Sequence, residues 1–483
     1  MEGGMRRALW LLGLAAVLCA SRAPAQTLTA EPGSIVAKRV DAYLAAVDSP
    51  GAADVFETRD ITPESRASAP PGAILNYFVS QKRVMGGYEL QGLRMVSARR
   101  AEALLRDRIY GARHSLTVDF EDGPEARITE FDPGPAPLWA PALPRTLSTA
   151  QAAAAARRQV ERGCTAGVFG GAVLIARHDK LLLEHACGLA SRRYDVPNTV
   201  ETRFNLGSMN KMFTAVAIMQ LVDAGKVSLD DPLGKYADES WLPLDISRTI
   251  TIRQLLTHTS GLGSFVGPEW DRMSRRLFRE LSDYKPLVRG ERPAFPPGTD
   301  WSYSNTGPLL LGVVIEQASG ENYFDYVRTH IYGPSGMRDT DCWPLDEPVP
   351  NLAMGYSPAR AGSGWRENTV HNIFRGGPAG GGYSTVGDLL RFARALQGGK
   401  LVSKASLDFM WRDHPPHNYG AGFTIEATAA GTAYGHDGIF AGVSTRFHIY
   451  PETGYVVAIL GNQDYAAPGL DEALAEVFAQ SRP

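Results

Sequence analysis

The chain has 483 residues, 49 basic and 52 acidic, for a net charge of -3, and its 44% hydrophobic and 21% charged content are those of a globular protein rather than a disordered one. Its length accommodates two or three domains. The longest basic runs are pairs such as Arg99-Arg100, which excludes the clustered positive charge that nucleic-acid phosphates require; four cysteines, none at C-x-x-C spacing, exclude a disulfide scaffold and a zinc site of that kind.

From the N-terminus, Arg6 and Arg7 precede 13 residues without charge from Ala8 to Ala20, followed by the small-residue step Ala23-Pro24-Ala25. This is the pattern of a cleaved secretory signal peptide, with an apolar run shorter than the roughly 20 residues a membrane span needs. The expected mature chain starts near Gln26 in the periplasm or outside the cell, has no transmembrane anchor, and keeps three cysteines, so at least one stays free. Ser34 is placed to cap a helix with the apolar face Ile35, Val36, Val40, Leu44 and Val47. A second helix is expected over Ile74 to Met85, then strands over Tyr88 to Val96, Ala103 to Tyr110, Ser115 to Phe120 and Ala126 to Phe131. Residues 26–131 thus read as a small α+β domain, which resembles the NTF2-like cone-shaped domains.

Five prolines between Asp132 and Arg145 mark residues 132–147 as a stiff linker. A helix from Ser148 to Arg162 leads into a hairpin, Gly171 to Arg177 and Lys180 to Ala186, turning at His178-Asp179. The chain closes with strands over Val443 to Tyr450 and Gly454 to Leu460 and a helix from Leu470 to Ala479. Strands at both ends of residues 148–483 around a helix-rich middle predict an antiparallel sheet closed by its own termini, flanked by helices, with a helical subdomain between.

Three motifs carry chemistry. In Gly207-Ser208-Met209-Asn210-Lys211 the apolar residues that follow recur with helical spacing, so Ser208 sits at a helix N-terminus and Lys211 lies one turn later on the same face. There the helix dipole favours an alkoxide, and a nearby amine lowers the cost of losing the serine proton or accepts it. Chance supplies roughly half a match to S-x-x-K in a chain of this composition. The second match, Ser282 to Lys285, is followed at once by Pro286, which excludes a continuing helix around the lysine. Next, Tyr303-Ser304-Asn305 ends a Pro/Gly loop before an apolar helix from Leu309 to Ile315, where a phenol can shuttle a proton if a neighbouring lysine lowers its pKa, and an amide can hold a substrate carbonyl. Finally, His436-Asp437-Gly438-Ile439 precedes a strand, and a glycine-rich strand edge admits a substrate backbone closely. Read singly, each has a plainer meaning: a serine N-cap with a solvated lysine, a capped turn, and a structural turn histidine.

In this order the three motifs resemble the serine β-lactamase and penicillin-binding-protein superfamily, with flanking text similar to its class C β-lactamase-related branch. Supporting phrases are Ile252 to Leu262, which contains His258-Thr259-Ser260-Gly261, then Ile331 to Met337 and Gly376 to Thr385. The resemblance implies a two-step acyl transfer with no metal or organic cofactor. Ser208 would be the acylated nucleophile, Lys211 its base or pKa-lowering partner, Tyr303 the proton shuttle, and Asn305, His436 and Gly438 substrate contacts. The N–H groups of Ser208 and Ile439 would form the oxyanion hole, and His258 reads as a buried structural histidine.

The departure lies at His436, where the β-lactamases and DD-peptidases carry lysine. An imidazole supplies less positive charge at pH 7 than an ammonium, and Asp437 beside it opposes an incoming carboxylate. The variant is similar to that of esterase-like and D-aminopeptidase-like members. The expected activity is therefore hydrolysis of ester, amide or D-amino-acid peptide bonds in a small-molecule or peptide substrate. The alternatives are a class C-like β-lactamase or DD-peptidase, and a non-catalytic module that binds peptidoglycan or a partner. No G-x-S-x-G or H-E-x-x-H is present, and the prolines of His414-Pro-Pro-His417 prevent a ligand-bearing helix. No motif sets the oligomeric state.

Overall fold

A computed structural model describes residues 28–29, 33–69, 72–137, 139–359, 364–415 and 417–482. The signal-peptide segment lies outside the described residues. The chain forms two compact units: one runs to Val168 and includes Thr428–Ala430 and the C-terminal segment from Gly469, and the other comprises Phe169–Ala427 and Gly431–Pro468.

In the first unit, Ser34 caps the helix Ile35–Asp48 by accepting the Ala37 N–H at 3.2 Å, and a second helix spans Ala73–Met85. The strands Tyr88–Ser97, Arg100–Asp107, Arg113–Phe120 and Ile128–Pro135 form an antiparallel meander in chain order, with Leu28–Thr29 along its first edge. Val40, Tyr43 and Val47 of the first helix bury against Phe56, Phe78 and the sheet residues Ala103, Leu116 and Phe131. The second strand ends three residues earlier than its hydrophobicity suggests. The Asp107 carboxylate accepts the N–H groups of Ile109, Tyr110, Gly111 and Ala112, which turns the chain there. The last strand runs on to Pro135, where four residues expected in the linker extend the sheet edge. Beyond it the Trp139 indole donates to Glu102 at 2.6 Å and Arg113 donates to the Pro141 carbonyl at 2.6 Å, so the proline-rich segment is docked.

The second unit is built on a six-stranded antiparallel sheet ordered Thr424–Thr428, Gly431–Phe440, Val443–Tyr450, Tyr455–Gly461, Gly171–Arg177, Lys180–Cys187. Tyr455 pairs with Arg177 and Gly461 with Gly171, which closes the sheet with strands from opposite ends of the unit, as the sequence pattern predicts. The helix Val386–Gln397, capped by Thr385, lays Leu389, Phe392, Ala393 and Leu396 into the core. The helix Asn210–Asp223 is buried around nearly its whole circumference and packs against Thr306–Ser319, which ends at Gly320 in the left-handed conformation. A central helix of this kind is a rigid mount for whatever precedes its first turn.

Candidate active site

Ser208 lies in a 3-10 turn, Gly207–Met209, that feeds directly into the helix starting at Asn210. The turn is fixed by backbone. Phe204–Asn205 pairs with Tyr383–Ser384, the Leu206 N–H donates to the Gly382 carbonyl at 2.7 Å, and the Gly381 N–H donates to Gly207 at 3.0 Å. The Asn205 side chain accepts the Gly207 N–H at 2.9 Å, and Gly207 itself is left-handed at φ 54°. On the other side the sheet comes so close that a β-carbon on Gly438 would lie 2.0 Å from the Leu206 carbonyl oxygen. Gly438 is therefore where the strand and the nucleophile turn meet.

Lys211 is 1% exposed, and its Nζ donates to Ser208 Oγ at 3.2 Å, Asn305 Oδ1 at 2.9 Å and the Ala379 carbonyl at 2.6 Å. Burial lowers its pKa to about 7, with Asp437 partly opposing, so a substantial fraction of the amine is neutral near neutral pH. A neutral amine beside a serine hydroxyl has the chemistry to accept its proton. The Ala379 carbonyl was invisible to motif reading because a main-chain acceptor leaves no side-chain signature; only the glycines around it hinted at a close backbone approach.

Tyr303 and Asn305 stand where the loop enters the helix Thr306–Ser319, as expected. The Tyr303 hydroxyl hydrogen-bonds Ser208, and its ring lies 4.7 Å from Lys211 Nζ. A lysine-lowered phenol is not what forms: burial raises the Tyr303 pKa far above its ordinary value, Asp437 adds to this, and the Ser208 hydrogen bond offsets only part. Tyr303 is thus a protonated phenol, and Lys211 is the group beside Ser208 that burial brings toward the neutral form. Asn305 binds Lys211 through Oδ1 and donates from Nδ2 to Ser264 Oγ at 3.0 Å. Behind Tyr303 lies His258, buried and held neutral by burial first and then by the charges of Lys211 and His436.

The third motif occupies the end of the strand Gly431–Phe440. Phe440 and Val443 flank a two-residue hairpin loop and form a hydrogen-bonded pair, so Gly438 and His436 bond to the neighbouring strand, whereas the Ile439 N–H, opposite Ser444, points away from it. Gly207, which precedes Ser208, lies against Gly438 and the Ile439 nitrogen, so a β-carbon on it would stand 3.3 Å from that nitrogen. His436, expected on the cleft surface, lies beneath it with 0% exposure. Its Nε2 meets the Tyr419 hydroxyl at 3.1 Å and its Nδ1 the Asp437 carbonyl at 2.7 Å. The strand alternation that sets Gly438 against Leu206 turns His436 inward as well. Asp437 pairs with Arg446 at 3.1 Å; burial opposes its ionisation, but Arg446 and His436 outweigh that and hold its carboxyl well below the usual range.

Residues 152–480 match the Beta-lactamase family. The chain belongs to that family. A penicillin-binding protein of Bacillus subtilis (strain 168) is 31% identical over 315 residues, 61% of this chain and 68% of its own length. Esterase EstB of Burkholderia gladioli is 34% identical over 188 residues, 36% of this chain and 46% of its own. Among solved structures, the D-amino acid amidase of Ochrobactrum anthropi SV3, complexed with L-phenylalanine amide, superposes with a TM-score of 0.59 at 25% identity, covering 69% of this chain and 98% of that one. The family fold and these relatives make the protein a serine hydrolase of the β-lactamase type. No described helix is long and apolar enough to cross a membrane.

Proposed function

We propose that the protein is an exported serine hydrolase that cleaves ester, amide or D-amino-acid peptide bonds through an acyl-enzyme on Ser208. The observation that carries this reading is the buried Lys211, hydrogen-bonded to Ser208 and with its pKa brought near neutrality, together with the Tyr303 phenol hydrogen-bonded to the same hydroxyl. In the proposed cycle neutral Lys211 takes the Ser208 proton as Oγ attacks the carbonyl carbon. The Ser208 and Ile439 N–H groups stabilise the tetrahedral oxyanion, and Tyr303 relays a proton to the departing alkoxide or amine. Water then attacks the acyl-enzyme with the same groups reversing roles. Asn305 contributes an amide edge at the cleft while tethering Lys211.

The substrate preference rests on charge. His436 is buried with both ring nitrogens engaged, and Asp437 keeps a fixed negative charge paired with Arg446, so the third motif presents no ammonium to a substrate carboxylate. Export is supported by the N-terminal pattern of residues 1–25. The same proposal divides the chain into a small α+β domain over 26–131, a linker over 132–147 and a hydrolase domain over 148–483. Comparing turnover of short-chain nitrophenyl esters and D-alanyl amides with that of nitrocefin tests the preference. Esters or D-amides are expected to dominate, and faster nitrocefin hydrolysis would contradict it.

A further inference from the structure

His258 follows the short helix Ile252–Leu256 and adopts a left-handed backbone, φ 58°, which residues with a β-carbon seldom occupy. Its carbonyl accepts the N–H of Ser302 at 3.0 Å, and its Nδ1 accepts the N–H of Ser304 at 3.2 Å. The two donors are the residues on either side of Tyr303. The imidazole ring itself lies 4.6 Å from the Tyr303 ring and, on another side, 4.6 Å from that of Tyr419. One residue therefore grips the backbone before and after the phenol and also braces its ring.

The arrangement has two unfavourable features that packing alone does not explain. Because Nδ1 accepts, the imidazole proton resides on Nε2, which is buried and finds no hydrogen-bond partner among the described residues. An apolar side chain of similar size would avoid that orphaned group, and a glycine would avoid the backbone strain. Neither would supply an acceptor to Ser304. The strain sits where the imidazole plane and the His258 carbonyl both face the loop that carries Tyr303.

We infer that His258 is the positioning residue that aims the Tyr303 hydroxyl at Ser208 and at the departing group. The inference rests on the reading of Tyr303 as the proton carrier. The hydroxyl must serve two heavy atoms in turn, so a small tilt of the phenol costs rate without touching substrate affinity; misplacement of about 1 Å is enough for losses on the order of 100-fold.

The test uses the full-length enzyme with its best ester or amide substrate. His258→Leu removes the acceptor, and kcat is expected to fall roughly 10- to 100-fold with KM changed less than about 2-fold. His258→Asn tolerates the left-handed backbone and places an amide oxygen near the Nδ1 position, so it is expected to restore most of kcat. His258→Gln carries its oxygen one bond too far and is expected to behave like His258→Leu; it also serves if the leucine variant does not fold, as judged by melting temperature. In a Tyr303→Phe background His258→Leu is expected to remove no further activity. The inference is overturned if His258→Leu or His258→Gln keeps full kcat while Tyr303→Phe is impaired. It is equally overturned if the losses multiply in the double variant, or if His258→Asn is as slow as His258→Gln at equal melting temperature. Full activity in Tyr303→Phe refutes the proton-carrier role itself, and the positioning role falls with it.

Discussion

Lys211 decides how the site behaves with pH. Its amine is buried, and only Asp437 works against the resulting fall in pKa to about 7. As general base it must be neutral, and the neutral fraction grows as pH rises through that value. The expected kcat/KM therefore climbs about tenfold per pH unit well below 7 and levels above it. Lys211→Arg keeps a positive charge at all accessible pH and is expected to lose at least about a thousandfold in kcat with no rising limb. A pH–rate profile on an ester whose own reactivity is flat over the range checks both. Asp437→Asn would remove the charge that supports the ammonium, and the rising limb is expected to shift toward lower pH.

At the scale of elements, the proposed site is built where a strand, a turn and a glycine-rich loop meet backbone to backbone. Leu206 bonds to Gly382, Gly207 to Gly381, and Gly438 lies against the Leu206 carbonyl. Gly438→Ala would put a methyl group 2.0 Å from that oxygen and 2.4 Å from Thr445 Oγ1, so the strand or the nucleophile turn must shift. The expected result is a fall in kcat of on the order of 100-fold with most of the melting temperature retained, since the contact joins two edges rather than filling the core. The sequence made part of this legible. Ser208 and Lys211 stand three residues apart before an apolar helix, and the terminal strands are short apolar runs bounded by turn residues, so the serine–lysine pair and the closed sheet followed from the residue pattern. The inward turn of His436 was missed because a strand's burial side depends on its neighbours, and here Gly438 is the residue that faces the turn. The protonated state of Tyr303 was missed because it reflects burial among His258, Lys211 and Tyr419, which come from three distant segments. The early end of the strand at Asp107 depends on a carboxylate gathering four N–H groups, a local competition that hydrophobicity does not record.

At the scale of the whole molecule, the first unit unites the N-terminal α+β fold with the C-terminal helix Pro468–Ala479 through buried charge. His114 meets Asp107 at 3.0 Å and pairs with Glu472, and Arg113 pairs with Glu476 at 2.5 Å. Burial disfavours the charged imidazole, but Glu472 and Asp107 together raise its pKa to about 10. A pKa raised by folding contributes stability that is complete below the unfolded value near 6.5 and is lost as pH rises toward the folded value. Stability of this unit is therefore expected to decline between pH 6.5 and 10 by up to about 1.4 kcal/mol per pH unit. His114→Gln is expected to flatten that dependence, and melting temperatures recorded across the window compare the two.

The central claim is that Ser208 becomes covalently acylated, with Lys211 as its activating base. Intact-mass spectrometry after exposure to a fluorophosphonate or a penicillin tests it most directly. A single stoichiometric adduct on Ser208, absent from Ser208→Ala and strongly slowed in Lys211→Arg, is the predicted result. No adduct with either probe together with no ester or amide hydrolysis, or an adduct that persists in Ser208→Ala, would contradict it.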